Sequence, residues 1–240
     1  MTPRGRLYLV PNLLGVVAPS DVLPEGTIRV ARRIAHFVVE NAKPARAFLK
    51  SLPHPLPIQE IAIEELDSAP SPARCAELLL PAREGHDVGL LSDAGCPGVA
   101  DPGAPLVSEA HREEIVVVPL VGPSSIVLAL MASGMNGQGF VFHGYLPVKA
   151  DTRTAALQRL EADSRRTAQA QIFIETPYRN AALIEAILAT CKPATRLCVA
   201  ADLTLSTQSV RSQPIGNWRT AQPSNYAKRP AIFVLQAGKD

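Results

Sequence analysis

A chain of 240 residues, 47% of them hydrophobic, can bury one large or two modest cores, which excludes a disordered or fibrous protein. Its 24 basic and 22 acidic residues leave a formal net charge of +2, so no general basic field marks it for nucleic acid; the densest local cluster, Arg153, Arg159, Arg165 and Arg166, reads most simply as the solvated face of a helix starting near Asp151, with RNA or phosphate contact the lesser reading. Cys75, Cys96, Cys191 and Cys198 lack C-x-x-C spacing and the five histidines fall singly, which supports neither a metal site nor a disulfide framework and fits a reduced, cytoplasmic protein.

The first segment, MTPRGRLYLVPNLLG, sets basic residues before an apolar stretch, but Pro11 and Asn12 interrupt it too early for a secretory signal. No apolar run approaches the roughly 20 residues of a membrane span. Short apolar strands are predicted at Arg6–Val10, His36–Val39, Ile58–Ile63, Asp87–Leu91 and Ile115–Val118. Between them lie the helical patterns IRVARRIA, PARAFLKSL, PARCAELLLPAREG and APLVSEAHREE. Strand and helix alternating at such intervals predict a doubly wound parallel sheet. After Val118 the text changes: PLVGPSSIVLALMASGMNGQG reads as a loop, an apolar helix and a glycine-rich exit, and FVFHGYLPVKADTR opens a second series. That series has a helix near Thr152–Glu161, strand Gln171–Ile174, helix Tyr178–Thr190, strand Arg196–Ala200, and strands near Gln208–Arg211 and Ala231–Leu235. The expectation is an α/β protein of two complete α/β domains, residues 1–121 and 122–240.

The segment LSDAGCPGVADPG, Leu91 to Gly103, leaves the carboxyl end of a predicted buried strand, the edge where open α/β sheets bind ligands. Gly95 and Gly98 permit close backbone approach to a ligand, and Pro97 and Pro102 restrict the loop beforehand. A plain strand-to-helix connector would read the same way. A second loop, VGPSSIVLAL, offers Gly122-Pro123 and then two serines at a helix start, where free N–H groups can receive a polar ligand edge or where Ser124 or Ser125 simply caps the helix. The sequence holds no G-x-x-x-x-G-K-[ST], and GMNGQG is not the dinucleotide fingerprint. A triad of Ser124, His143 and Asp101 can be drawn on paper, but no G-x-S-x-G elbow supports it.

Taken in order, SDAGCPGVADPG, VPLVGPSSIVLAL, FHGYLP and ETPYRNAALIEAI resemble the tetrapyrrole methylase superfamily, most closely its branch of small-subunit ribosomal RNA cytidine 2'-O-methyltransferases. The resemblance covers residues 85–190 and implies a parallel N-terminal sheet, a mixed C-terminal sheet, a homodimer and S-adenosylmethionine bound in the cleft between domains. Carried over residue by residue, it implies cofactor contacts at Pro11, Asp93, Gly95, Cys96, Pro97, Val99, Ser124, Ser125, Glu175, Thr176, Leu203, Pro230 and Ala231. Many relatives have aspartate where this chain has Cys96, which leaves a backbone contact there and makes Asp93 the nearby carboxylate; Cys96 reads as a small cleft residue rather than a nucleophile.

The implied chemistry needs an acceptor held in line with an activated methyl group, and no metal. A hydroxyl acceptor must also lose a proton, for which Asp93, Glu40, Glu175 and Tyr178 are candidates. Lys43, Arg46 and Arg179 are candidates for holding substrate carboxylates or phosphates; a solvated loop is the plainer account of Glu40 and Lys43, and helix-start packing that of Tyr178 and Arg179. The RNA-modifying branch carries Thr-Pro-Ile-Gly-Asn after its first strand and Glu-Asp-Thr-Arg after its second, whereas this chain reads VPNLLGVVAPSDVLP and VENAKPARAFL. The donor side is thus retained and the acceptor side altered. The leading expectation is methylation of ribosomal RNA on the small subunit; the alternatives are a tetrapyrrole or other small-molecule acceptor, or a protein that binds the cofactor without turnover.

Overall fold

The computed structural model describes residues 4–218 and 223–238. The chain divides into two compact units, the first running to Ser124 and the second starting at Ser125.

In the first unit, five parallel strands form one sheet in the order β3-β2-β4-β1-β5: β1 (Leu7–Val10), β2 (His36–Val39), β3 (Ala62–Glu65), β4 (Val88–Leu91) and β5 (Val117–Pro119). The apolar runs of the central strands fit burial on both faces. Leu7, Val38, Val88 and Leu90 join one core with Leu78, Leu79 and Leu106, while Tyr8, Val10, Phe37, Val39 and Leu91 join another with Phe48 and Leu49. The two cores match the two directions of chain crossover. The connections β1→β2→β3 run towards one edge and carry α1 (Pro19–Val22), α2 (Glu25–Ala31) and α3 (Ala42–Ser51). Those from β3 to β4 and from β4 to β5 run the other way and carry α4 (Pro72–Leu78), α5 (Leu80–Arg83) and α6 (Ala104–Arg112). Right-handed crossovers in opposite directions place these helix sets on opposite faces.

Two elements differ from the sequence-based expectation. The strand expected over Ile58–Ile63 begins instead at Ala62; Ile58–Glu60 forms a 3₁₀ turn closed by the Glu60 N–H on the Pro57 carbonyl at 2.9 Å. The chain joins the ladder only where Ala62 pairs with His36. The single helix read through PARCAELLLPAREG breaks at Leu79, because Pro81 lacks an N–H and its ring opposes the carbonyl four residues back.

The second unit holds a mixed sheet in the order β6-β7-β10-β8-β9: β6 (Phe140–Tyr145), β7 (Ala170–Ile174), β8 (Arg196–Ala201), β9 (Ser209–Pro214) and β10 (Ala231–Gln236). Only β6 and β7 are parallel; β10 runs antiparallel to β7 and to β8, and β8 to β9. Helix α7 (Ser125–Ser133) packs on β8, β9 and β10. The main core gathers Leu157 and Leu160 of α8 (Ala150–Thr167), Leu183, Ile184 and Ile187 of α9 (Asn180–Thr190), Phe173, Leu197, Val199 and Phe233 of the sheet, and Trp218 at the end of α10 (Ile215–Trp218). Phe173 and Phe233 face each other across the β7–β10 ladder with centroids 5.7 Å apart. Trp218, the sole tryptophan of the chain, is fully buried and donates to the Leu197 carbonyl at 3.0 Å, with the Arg211 guanidinium 4.9 Å from its ring centre. Helix α8 extends past the expected Glu161 because Ser164 continues its buried face, and it stops at Ala168, whose φ of 56° is left-handed.

Candidate functional site

In the first unit, neighbouring strands β2 and β4 send the chain to opposite sides of the sheet, which opens a crevice at their carboxyl ends. The loops after β1, β4 and β5 converge there. Asn12, buried directly after β1, forms a two-way backbone bridge with Gly95: its N–H donates to the Gly95 carbonyl at 2.8 Å and its carbonyl accepts from the Gly95 N–H at 3.3 Å. Its side-chain amide donates to the carbonyls of Ser92 and Asp93 at 2.9 and 3.0 Å and accepts from the Leu13 N–H at 2.7 Å. Gly95 turns at a φ of +73°, which a side chain would strain. The β5 loop closes the cluster: a Cβ on Gly122 would stand 2.2 Å from Pro11 Cγ, and the Cys96 thiol lies 3.5 Å from the Pro123 carbonyl.

Three carboxylates line this crevice. The Asp93 N–H donates to Glu40 Oε2 at 3.3 Å, and Asn41 donates to Asp93 Oδ2 at 2.7 Å. Half-buried Asp101 is pushed up to about 7, first by burial and then by the charges of Glu40 and Asp93. Glu40 is also raised, by burial and then by Asp93, against the opposing effect of the Asp93 N–H bond. Among the described residues, none of the ion pairs engages Glu40, Asp93 or Asp101. Beyond Asp93, Pro97 is buried, whereas Gly98 and Val99 are exposed, and nothing lies within 4 Å of where a Gly98 Cβ would stand. Lys43 and Arg46 are exposed on α3.

The second unit presents a rim where β7 and β8 end and antiparallel β10 begins. Ala231 pairs with Ala201, and Ile232 with Ile174, which brings Glu175, Thr176, Leu203, Pro230 and Ala231 to one sheet edge. Glu175 is buried and receives three hydrogen bonds on one oxygen, Oε1: from the Thr176 N–H at 2.7 Å and from Arg179 Nε and Nη2 at 2.9 and 2.6 Å. Its other oxygen, Oε2, is buried with no partner. The Arg179 guanidinium, expected to hold substrate, is therefore directed to Glu175. Tyr178 beside it is 82% exposed. The 3₁₀ turn Pro177–Arg179 precedes α9, so Tyr178 lies outside the helix it was expected to open. Asp202 accepts from Arg229 Nε at 2.8 Å and from the Thr207 hydroxyl at 2.9 Å, while Arg229 also donates to the Thr207 and Asn225 carbonyls.

Asn12 and Asp101 have positions visible in the sequence, two places after β1 and at the close of SDAGCPGVAD, but roles that depend on burial and on partners elsewhere in the fold. The Asp202–Arg229 pair, 27 residues apart, had no local signature.

A parallel α/β unit with loop-built, anionic strand ends, followed by a mixed-sheet unit, defines a two-unit α/β protein. Its fold is similar to that of a crystal structure of the methyltransferase CobJ, with a TM-score of 0.64 at 17% identity over 97% of this chain and 94% of that one. Residues 22–218 match the family model of tetrapyrrole (corrin/porphyrin) methylases, and the chain belongs to that family: it is a methyltransferase. It is 30% identical over 237 residues to ribosomal RNA small subunit methyltransferase I of Pseudomonas aeruginosa, covering 98% of this chain and 79% of that protein. Against the protein of the same name from Escherichia coli O157:H7 the identity is 27% over 239 residues, with 98% and 79% covered. Among the described residues there is no cluster of metal-ligating side chains and no helix long and apolar enough to cross a membrane.

Proposed function

We propose that the chain transfers a methyl group from S-adenosylmethionine to a ribose 2'-hydroxyl of ribosomal RNA in the small subunit. The observation that carries this reading is the near full-length likeness to ribosomal RNA methyltransferases, joined to a strand-end crevice with three carboxylates and, among the described residues, no cation paired to them. The donor brings a sulfonium and an ammonium, so an anionic, backbone-lined cradle suits it, and the open space beside Gly98 leaves room for a ligand. The residues assigned to donor binding are, in the first unit, Pro11, Asp93, Gly95, Cys96, Pro97, Val99 and Ser124 and, in the second unit, Ser125, Glu175, Thr176, Leu203, Pro230 and Ala231.

Bound there, the donor supplies a methyl group already activated for nucleophilic attack. The work left to the chain is positioning and proton handling. Asn12 and the Gly95 turn hold the β4 loop rigid, so the carbonyls and N–H groups of Gly95–Val99 are preorganised before the ligand arrives. Glu40 and Asp93 are the groups assigned to take the proton lost by the acceptor hydroxyl; the raised pKa of Glu40 makes its carboxylate a stronger base than an exposed one. Tyr178, with its ring exposed, is assigned to meet the acceptor, and Lys43 and Arg46 to hold its phosphates. Arg179 acts through Glu175 instead. We further infer a homodimer, supported by Val127 and Met131 on α7, which are 47% and 73% exposed, and a cytoplasmic protein meeting the small ribosomal subunit there.

The test is transfer of labelled methyl groups from the donor to unmodified small ribosomal subunits, followed by nucleoside analysis. Label in a 2'-O-methylated nucleoside is expected. Label reaching only a tetrapyrrole, or donor binding without any transfer, would overturn the reading in favour of a small-molecule acceptor or a non-catalytic binder. Sedimentation of the purified chain checks the dimer.

A further inference from the structure

The basic stretch of α8 takes no part in the donor site. Gln158, Glu161, Ala162, Arg165 and Arg166 recur at three and four residues, so they share one helix face; with Lys192 they line a surface cavity of about 360 Å³. Glu161 forms its base. The carboxylate accepts from the Lys192 backbone N–H at 2.8 Å and from the Thr195 hydroxyl, which pins the turn after α9 against α8 and brings Lys192 beside the arginines. Among the described residues Asp163 is the other acid nearby, accepting from Arg166 at 2.8 Å with Arg159 3.7 Å away. Of these described groups, Arg159, Arg166 and Lys192 outnumber Glu161 and Asp163, and the Arg159 and Arg166 side chains remain 85% and 72% exposed. The favourable field at a helix C-terminus accounts for Arg165 and Arg166. It does not account for Lys192, which comes from another element and is held in place by a buried carboxylate.

We propose that this face binds the sugar–phosphate backbone of RNA. The proposal rests on RNA being the methyl acceptor and adds a second contact surface for it. None of the lining residues is aromatic, so the face offers charge and hydrogen bonds without base stacking, and its binding is independent of sequence. Because the chain's net charge is only +2, such a patch must supply the phosphate attraction locally.

The probe is a fluorescein-labelled single-stranded RNA oligonucleotide, titrated with the full chain across a salt series. The double substitution Arg166→Gln and Lys192→Gln should weaken binding about 5- to 20-fold at low salt and flatten the salt slope by about 1.4, ~0.7 for each phosphate that is no longer neutralised. Arg166→Lys alone, which keeps the charge, should retain the slope. Exchanging exposed Arg29 and Arg33 of the first unit for glutamine should change neither quantity. An unchanged slope and affinity in the double variant, at an unchanged melting temperature, would overturn the proposal. Methyl transfer to small subunits separates the two readings: charge-dependent RNA binding without transfer sinks the acceptor assignment and leaves this face standing, whereas transfer with an unaltered slope does the reverse.

Discussion

The two strand-end rims of this chain handle negative charge in opposite ways. On the second unit's rim the buried carboxylates are matched by arginines, Glu175 by Arg179 and Asp202 by Arg229. In the first unit Glu40, Asp93 and Asp101 crowd together with amide and N–H donors but no paired cation among the described residues. Unbalanced charge is costly to keep half-buried. The second rim is settled by its own ion pairs apart from the buried Glu175 Oε2, which has no hydrogen-bond partner; the unmatched first rim suits the proposed cationic donor.

Substitutions can break or sharpen that contrast. The largest effect is expected from Asn12→Ala, which removes three hydrogen bonds and leaves the Ser92 and Asp93 carbonyls unsatisfied: about 3 kcal/mol of stability, read by urea denaturation, together with loss of donor binding. A stability change below ~1 kcal/mol would show that the β4 loop holds its shape without Asn12. Arg229→Ala should cost about 2 kcal/mol by leaving Asp202 unmatched, with donor affinity falling less than stability does. If instead affinity collapses while stability stays, the second rim is not the settled one. Asp93→Asn should do the reverse, weakening S-adenosylmethionine binding about tenfold, ~1.4 kcal/mol, in calorimetric titration with the melting temperature nearly unmoved.

The smallest and most diagnostic change is Asp101→Asn. With Asp101 raised to about 7 in the folded chain, the folded state holds a proton that the unfolded state has already lost between roughly pH 4 and pH 7. Stability contributed by this group is therefore present at low pH and is lost as pH rises through about 7. The asparagine variant should lack that decline, so its melting temperature should gain on the parent's as pH increases. Parallel curves for the two proteins from pH 5 to pH 8 would mean that neither burial nor the charges of Glu40 and Asp93 raise Asp101.

How far the sequence revealed these arrangements depended on whether the determining contact was local. The strand HFVV and its neighbour VGLL are legible because burial on both faces leaves continuous apolar runs. Ile58 and Ile61 gave a false strand because two apolar residues around polar ones fit a turn packed on α3 as well as a ladder, and only the pairing with β2 decides where the strand begins. The glycine–proline loop after β4 could be read because its backbone demands are written in its own residues. Asn12 could not, since its partners are carbonyls 80 and 81 residues away. Nor could the state of Asp101, which is set by burial, by Glu40 after β2 and by Asp93 in its own loop. Arg179 stands four residues after Glu175, a spacing visible in the sequence, yet only the fold shows that Glu175 is buried and therefore claims it.

Trp218 carries a practical consequence. As the single indole of the chain, packed in the second unit's core under Arg211, it makes fluorescence excited beyond tyrosine absorption a reporter of that unit alone. The first unit is optically silent by this probe but contributes to the far-ultraviolet dichroism. Comparing the two signals along one denaturation curve therefore resolves whether the units melt as a single cooperative block or in succession, without labels, fragments or engineered chromophores.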